Sequence, residues 1–185
     1  MQVVSSILNL QSSYLSDPYA LSVLKESQNR IKTMSYIHES LYQNKTFTSV
    51  NFSEYLNTLT NNIIQSYSIN ETKIKLILEI EKISLSLDNA IPTGLIVNEL
   101  LSNAIKHAFP GDRKGTITVS LKQELNVISL YITDNGIGFS DHIDFHNSPS
   151  LGLQLVNSLI EQISGTIKFS SKKDLGTNVF ITFKI

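Results

Sequence analysis

Four short stretches hold residues whose types and spacing could do chemistry. The first is Asn98-Glu99-Leu100-Leu101-Ser102-Asn103-Ala104-Ile105-Lys106-His107. Glu99, Asn103, Lys106 and His107 stand three and four apart, so on a helix they share one face. Ile96, Val97, Leu100, Leu101, Ala104 and Ile105 fill much of the rest. A carboxylate, an amide, an ammonium and an imidazole on an otherwise apolar helix are costly unless something pairs them. A magnesium ion takes oxygen ligands of this kind and keeps several waters. A partly solvated helix face is the plain alternative. The second stretch is Ile132-Thr133-Asp134-Asn135-Gly136-Ile137-Gly138-Phe139. A strand would deliver Asp134 at its end, where the carboxylate can accept a hydrogen bond from an exocyclic amine. Gly136 and Gly138 would let the following backbone come close to a ligand. An ordinary hairpin turn has the same composition. The third, Ser150-Leu151-Gly152-Leu153, opens a helix whose first N–H groups suit a phosphate; a simple serine cap explains it equally. The fourth, Leu175-Gly176-Thr177, is a turn between two strands.

The elements that position these stretches follow from periodicity. Residues 1–15 carry apolar side chains at helical spacing, Asp17-Pro18 marks a turn, and residues 19–43 form a second helix. Leu24, Ile31 and His38 are seven apart, as are Met34 and Leu41, which is a bundle-like seam. Two antiparallel helices do not bury such a stripe alone, and a dimeric four-helix bundle would. Residues 44–51 are polar and break the pattern, placing a domain boundary near residue 46. Phe52, Tyr55, Leu56, Leu59, Ile63 and Ile64 define a third helix. Residues 74–80 and 83–87 alternate as strands. A long helix runs from Asp88 to about His107, with Pro92 in its first turn. Strands follow at 115–123 and 126–133, joined at Glu124-Leu125-Asn126. A polar loop at 137–150, a helix at 151–164 closed by Gly165, and strands at 166–171 and 177–184 complete the chain. About five strands and three helices after residue 47 make an α/β (α+β) two-layer sandwich, a mixed five-stranded sheet beneath helices, preceded by a helical hairpin.

Composition narrows the classes. The net charge of -1 argues against nucleic acid and anionic membrane as partners. With no cysteine, disulfides and thiolate metal sites are excluded. No apolar run approaches a membrane span and no secretory signal is evident, so the expectation is a soluble, cytoplasmic chain.

Taken in order, Glu99-xxx-Asn103, Asp134-x-Gly136-x-Gly138, Gly152 at a helix start and Gly176-Thr177 resemble the ATP-binding domain shared by gyrase, the heat-shock chaperone, the histidine kinases and the mismatch-repair ATPase. There these elements are the N, G1, G2 and G3 boxes. The resemblance covers residues 52–185 and implies ATP and magnesium as cofactors. It implies Asn103 as the principal magnesium ligand, with Glu99 as a second polar group at the metal or the transferred phosphate. Asp134 would bind the adenine amine, with Thr177 helping. Gly136, Gly138, Gly152 and Leu153 would shape the pocket and its lid, and Lys106 and His107 would lie close to the phosphates. Gln2-Val3-Val4 to Leu10 and Lys25 to Gln43 are similar to the dimerisation helices of a histidine-kinase subfamily related to the HWE group, and Asn98 to Gly115 resembles its N box and following loop.

That likeness implies the kinase core of a two-component sensor histidine kinase: residues 1–46 dimerising, residues 47–185 catalytic, and a response regulator receiver domain as partner. The subfamily's phosphate-accepting histidine lies just ahead of the segment matching Gln2, so the expectation is a chain that lacks it and forms a weakened dimer through residues 1–43. None of His38, His107, His142 and His146 is assigned as acceptor, and a metal at His142 and His146 is disfavoured. An ATP hydrolase and an anti-sigma-type serine kinase of the same fold are the alternatives. No Lys or Arg occurs between Lys122 and Lys168, so the lid brings no cation to a triphosphate. Magnesium, backbone N–H groups and Lys106, with Arg113 or Lys114, would have to meet its charge.

Overall fold

The computed structural model describes residues 2–43, 49–67, 73–139 and 150–185, with the side chains of residues 2–5, Tyr19 and 36–43 left aside. His142, His146 and most of the loop expected at 137–150 lie outside the described residues, as do the side chains of His38 and Leu41.

Two helices come first, α1 (Gln2–Ser12) and α2 (Pro18–Gln43). Proline at the first position of α2 gives up an N–H that has no helical partner there. A two-residue strand β1 (Val50–Asn51) leads into α3 (Phe52–Ser66). Asn51 caps α3, accepting from the Glu54 N–H at 3.3 Å while its amide donates to the Glu54 carboxylate at 3.1 Å. The chain continues through β2 (Ile74–Ile80), β3 (Ser84–Leu85) and the long α4 (Leu87–His107). It then runs through β4 (Gly115–Glu124), β5 (Val127–Asp134), α5 (Leu151–Gln162), β6 (Thr166–Lys172) and β7 (Gly176–Lys184).

The main sheet has the order β2-β4-β5-β7-β6, parallel between β2 and β4 and antiparallel elsewhere. Alternation puts Val119, Ile132 and Val179 in one row and Leu121, Leu130 and Ile181 in the next, all buried beneath the helices. The helical layer answers with Phe52, Leu56 and Leu59 of α3, Ile96 and Leu101 of α4, and Val156 and Ile160 of α5. On the opposite face Tyr131 and Phe180 stack at 4.3 Å, partly exposed. The expected two-layer α/β sandwich with a mixed five-stranded sheet is therefore observed.

Several local expectations change. The strand expected at 83–87 is only Ser84–Leu85, and it pairs with Val50–Asn51 in a separate two-stranded sheet. Ile83 and Leu85 alternate because they seal the end of the helical layer, both being buried. Helix α4 starts at Leu87, so Pro92 sits in its second turn and costs one helical hydrogen bond. At the end of α5 the left-handed residue is Ser164, φ 49°, and Gly165 follows it, donating to Ile160 O at 2.9 Å.

One residue of the α2 seam, Met34, packs within the chain itself, beside Thr33. Thr33 is buried and Met34 packs against the core of the sandwich, so α2 lies on α3 and α4 within the same chain. The buried Tyr55 hydroxyl donates to Thr33 O at 3.3 Å. The close fit of Tyr55 on α4 requires glycine at position 94, where a Cβ would stand 2.5 Å from the Tyr55 oxygen.

Candidate active site

A cavity of about 460 Å³ opens between α4, the ends of β5 and β7, and the start of α5. Strand register builds its floor. Asp134 ends β5 directly opposite Thr177 of β7, with Ile117 of β4 on its other side. One carboxylate oxygen of Asp134 accepts from the Gly136 N–H at 2.8 Å. Burial raises the Asp134 pKa above its ordinary value, and the hydrogen bonds from Gly136 and Thr177 and the charge of Arg113 only partly oppose this.

The segment after Asp134 is threaded between two others. Asn135 Oδ1 accepts from the Thr116 N–H at 2.7 Å, and Ile137 N donates to Ala108 O at 2.9 Å. A Cβ on Gly136 would lie 2.3 Å from Ala108 O. One on Gly176, at φ +88°, would lie 1.9 Å from Asp134 O. Gly136 and Gly176 allow the close approach of chain to chain, while Gly138 lines the cavity. Arg113 clips the arrangement from outside, donating to Gly136 O at 3.1 Å and pairing with Asp174 at 3.3 Å.

The walls are Leu100, Ala104, Ile132, Ile137, Phe139, Phe169 and Val179, with Asn103, His107 and Ser150 adding polar groups. Ser150 caps α5 by accepting from the Leu153 N–H at 3.3 Å, and Leu153 faces the cavity. Phe139 is tied back by its N–H to Ser171 Oγ at 2.8 Å, and its ring lies 6.2 Å from that of Phe169. His107 has its pKa lowered, first by burial and then by Lys106, with Glu26 partly opposing.

Asn103, His107, Asp134, Gly138, Leu153 and Thr177 thus line one cavity, as their motifs suggested. Glu99, Lys106, Gly136 and Gly152 do not line it. Lys106 turns away and pairs with Glu26 of α2, 5.9 Å from the Tyr67 ring centroid. Burial opposes its charge, but the bonds to Glu26 and Tyr67 prevail and its pKa is raised. Arg113 is engaged at Gly136 and Asp174.

Glu99 is buried, and both its oxygens accept from Arg30 of α2, Nε and Nη2 each at 2.8 Å. The Asn98 amide adds a bond to Oε1 at 3.2 Å. The Arg30 pKa is raised, chiefly by its bond to Glu99. Arg30 escaped the sequence reading because nothing local in α2 marks it; its partner is 69 residues away.

A cleft with an apolar lining, a carboxylate at its floor and a helix start at its rim defines a class: the nucleotide-binding two-layer sandwich. Residues 88–185 match the family described as histidine kinase-, DNA gyrase B-, and HSP90-like ATPase, and the chain belongs to that family. Residues 1–67 match the family described as histidine kinase, so both halves agree with the resemblance to sensor histidine kinases. Sensor histidine kinase PdtaS of Mycobacterium tuberculosis is 25% identical over 187 residues, covering 98% of this chain and 36% of the relative. Heme sensor protein HssS of Staphylococcus saprophyticus is 33% identical over 143 residues, 70% of this chain and 30% of the relative. The chain therefore spans about a third of the length of these curated relatives. In fold it is similar to the histidine kinase domain of the Erythrobacter litoralis EL346 blue-light activated histidine kinase, with a TM-score of 0.80 at 16% identity over 99% of this chain and 95% of that one.

Proposed function

We propose that the cavity binds ATP with magnesium and that the chain is the kinase core of a sensor histidine kinase, sending the terminal phosphate to a histidine and onward to a response regulator receiver domain. The observation that carries this reading is the Asp134 carboxylate, held by Gly136 and Thr177 at the floor of an apolar cleft. It is an acceptor aimed where a flat base would slide between Ile132, Val179 and Phe169. An exocyclic amine on that base satisfies Asp134, with Thr177 fixing the carboxylate's orientation. The Asn103 amide, further up α4, would hold the metal together with phosphate oxygens and water. Magnesium, when bound, supplies neutralisation of phosphate charge. Ser150 and Leu153 at the start of α5 line the same cavity, where a helix N-terminus favours an anion, and His107 adds a polar group to it.

In this reading residues 1–46 form the dimerising and phosphotransfer segment, residues 47–185 are catalytic, and the protein works on the cytoplasmic side. No helix among the described residues is long and apolar enough to cross a membrane.

Titration with ATP and with GTP tests the nucleotide half. Adenine donates an amine where guanine presents a carbonyl, so ATP should bind at least roughly tenfold more tightly. Equal affinities would remove Asp134 from base recognition. For the kinase half, labelled ATP and a histidine-bearing dimerisation segment supplied in trans should give acid-labile label on that segment. Steady phosphate release with no labelled protein would point to a hydrolase instead.

A further inference from the structure

Among the described residues, no lysine or arginine lines the cavity. No Lys or Arg lies between Lys122 and Lys168, Lys106 is taken by Glu26, and Arg113 is held at Gly136 and Asp174. Glu99 worsens the balance, since a buried carboxylate beside the start of α5 repels a triphosphate. A Cβ at Gly152 would be 2.7 Å from Glu99 Oε2 and 3.9 Å from Arg30 Nη2, so the ion pair lies directly against the first turn of α5. Arg30 belongs to α2, and its guanidinium grips both oxygens of Glu99 at 2.8 Å with only 14% of its side chain exposed. A two-pronged pair of this kind fixes orientation as well as charge. Glu26, 3.9 Å from Arg30, also takes Lys106, which ties the same turn of α2 to α4 a second time.

We propose that Arg30 is a positioning residue for the nucleotide site: it holds Glu99 against the start of α5 and cancels its charge, so that the site binds an anionic nucleotide more tightly while α2 is docked on α4. The helical hairpin then contributes to nucleotide binding itself, in addition to any role in dimerisation. The inference rests on the reading of the cavity as an ATP site.

The test is titration of the whole chain with ATP, in chelator and in excess magnesium, for the wild type, Arg30→Gln, Glu99→Gln and the double variant, with adenosine as the uncharged control. In chelator Arg30→Gln should weaken ATP binding about tenfold, because it leaves a net negative charge beside the phosphates. Glu99→Gln should strengthen it, leaving a net positive charge, and the double variant should return to within about twofold of wild type. Magnesium should shrink the Arg30→Gln loss, since the freed carboxylate then meets a cation. Adenosine should bind all four alike.

A merely structural pair would behave otherwise. Arg30→Gln and Glu99→Gln would then both weaken ATP and adenosine, and that result overturns the proposal. So does an Arg30→Gln chain that binds ATP like wild type. If Arg30→Gln does not fold, Glu99→Gln and the charge-balanced double variant decide by the same signs. Failure of the wild type to bind ATP at all would instead refute the proposed function.

Discussion

At Asp134 stability and function pull in opposite directions. Its pKa lies above the ordinary 3.8, because burial disfavours the charged form more than Gly136, Thr177 and Arg113 favour it. The folded protein thus holds this proton more tightly than the unfolded chain. That contribution to stability is complete below the unfolded pKa and is lost as pH rises through the folded one. Asp134→Asn abolishes the titration while keeping an acceptor for Gly136. Thermal unfolding followed against pH should show the variant more stable than wild type at neutral pH, with the gain vanishing below the carboxylate range. Its affinity for ATP should fall roughly ten- to a hundredfold, since an acceptor bearing a full charge has become a neutral amide. A variant that is destabilised at pH 7 would contradict the burial argument. Gly176 makes the complementary point. Its φ is +88°, and a Cβ there would stand 1.9 Å from Asp134 O, so there is no room for a side chain. Gly176→Ala should cost at least about 2 kcal/mol in denaturant unfolding and weaken ATP binding with it.

At the scale of elements, what the sequence disclosed depended on how local the cause was. Helix α4 and strands β4, β5 and β7 stood out because each buries a continuous face, and burial writes a period of 3.6 or 2 into the residues. Asp134 and Thr177 lie far apart along the chain, yet their motifs already suggested a shared pocket, and register sets them side by side. The separate pairing of Ser84–Leu85 with Val50–Asn51 was hidden, because two-residue strands carry no period. Hidden too was the seat of α2. Its spacing spoke only of an apolar stripe, and Thr33, Met34 and Arg30 show that part of this surface serves α3 and α4. The pairing of Lys106 with Glu26 of α2 was hidden for the same reason. The docking of α3 on α4 is open to direct test. Tyr55→Phe should lose about 1 kcal/mol with its bond to Thr33 O. Gly94→Ala should lose about 1–3 kcal/mol through the clash with Tyr55, and chemical denaturation should show part of that recovered in the double variant. Strict additivity would mean that the two helices do not touch as described.

For the molecule as a whole, the open question is what covers the rest of the hairpin. Ile7, Leu10, Tyr14 and Val23 are exposed at 49%, 64%, 87% and 37% although α2 already packs on the sandwich. Apolar side chains gathered on one hairpin are the usual mark of an association surface. A second copy of the same hairpin would bury them in a four-helix arrangement, as the kinase reading requires. Because Thr33 and Met34 are spent within the chain, less of α2 is left for that interface than its seam suggested, and the dimer should be weak. Sedimentation across a wide concentration range should therefore show a reversible monomer–dimer equilibrium. Ile7→Ser with Leu10→Ser should shift it toward monomer by about tenfold or more, since two partly buried aliphatic contacts are lost from each copy. Adenosine affinity should stay unchanged, because neither residue is among the described residues that line the cleft. A tight dimer indifferent to these substitutions would place the interface elsewhere, with the stacked Tyr131 and Phe180 on the open sheet face as the next surface to examine.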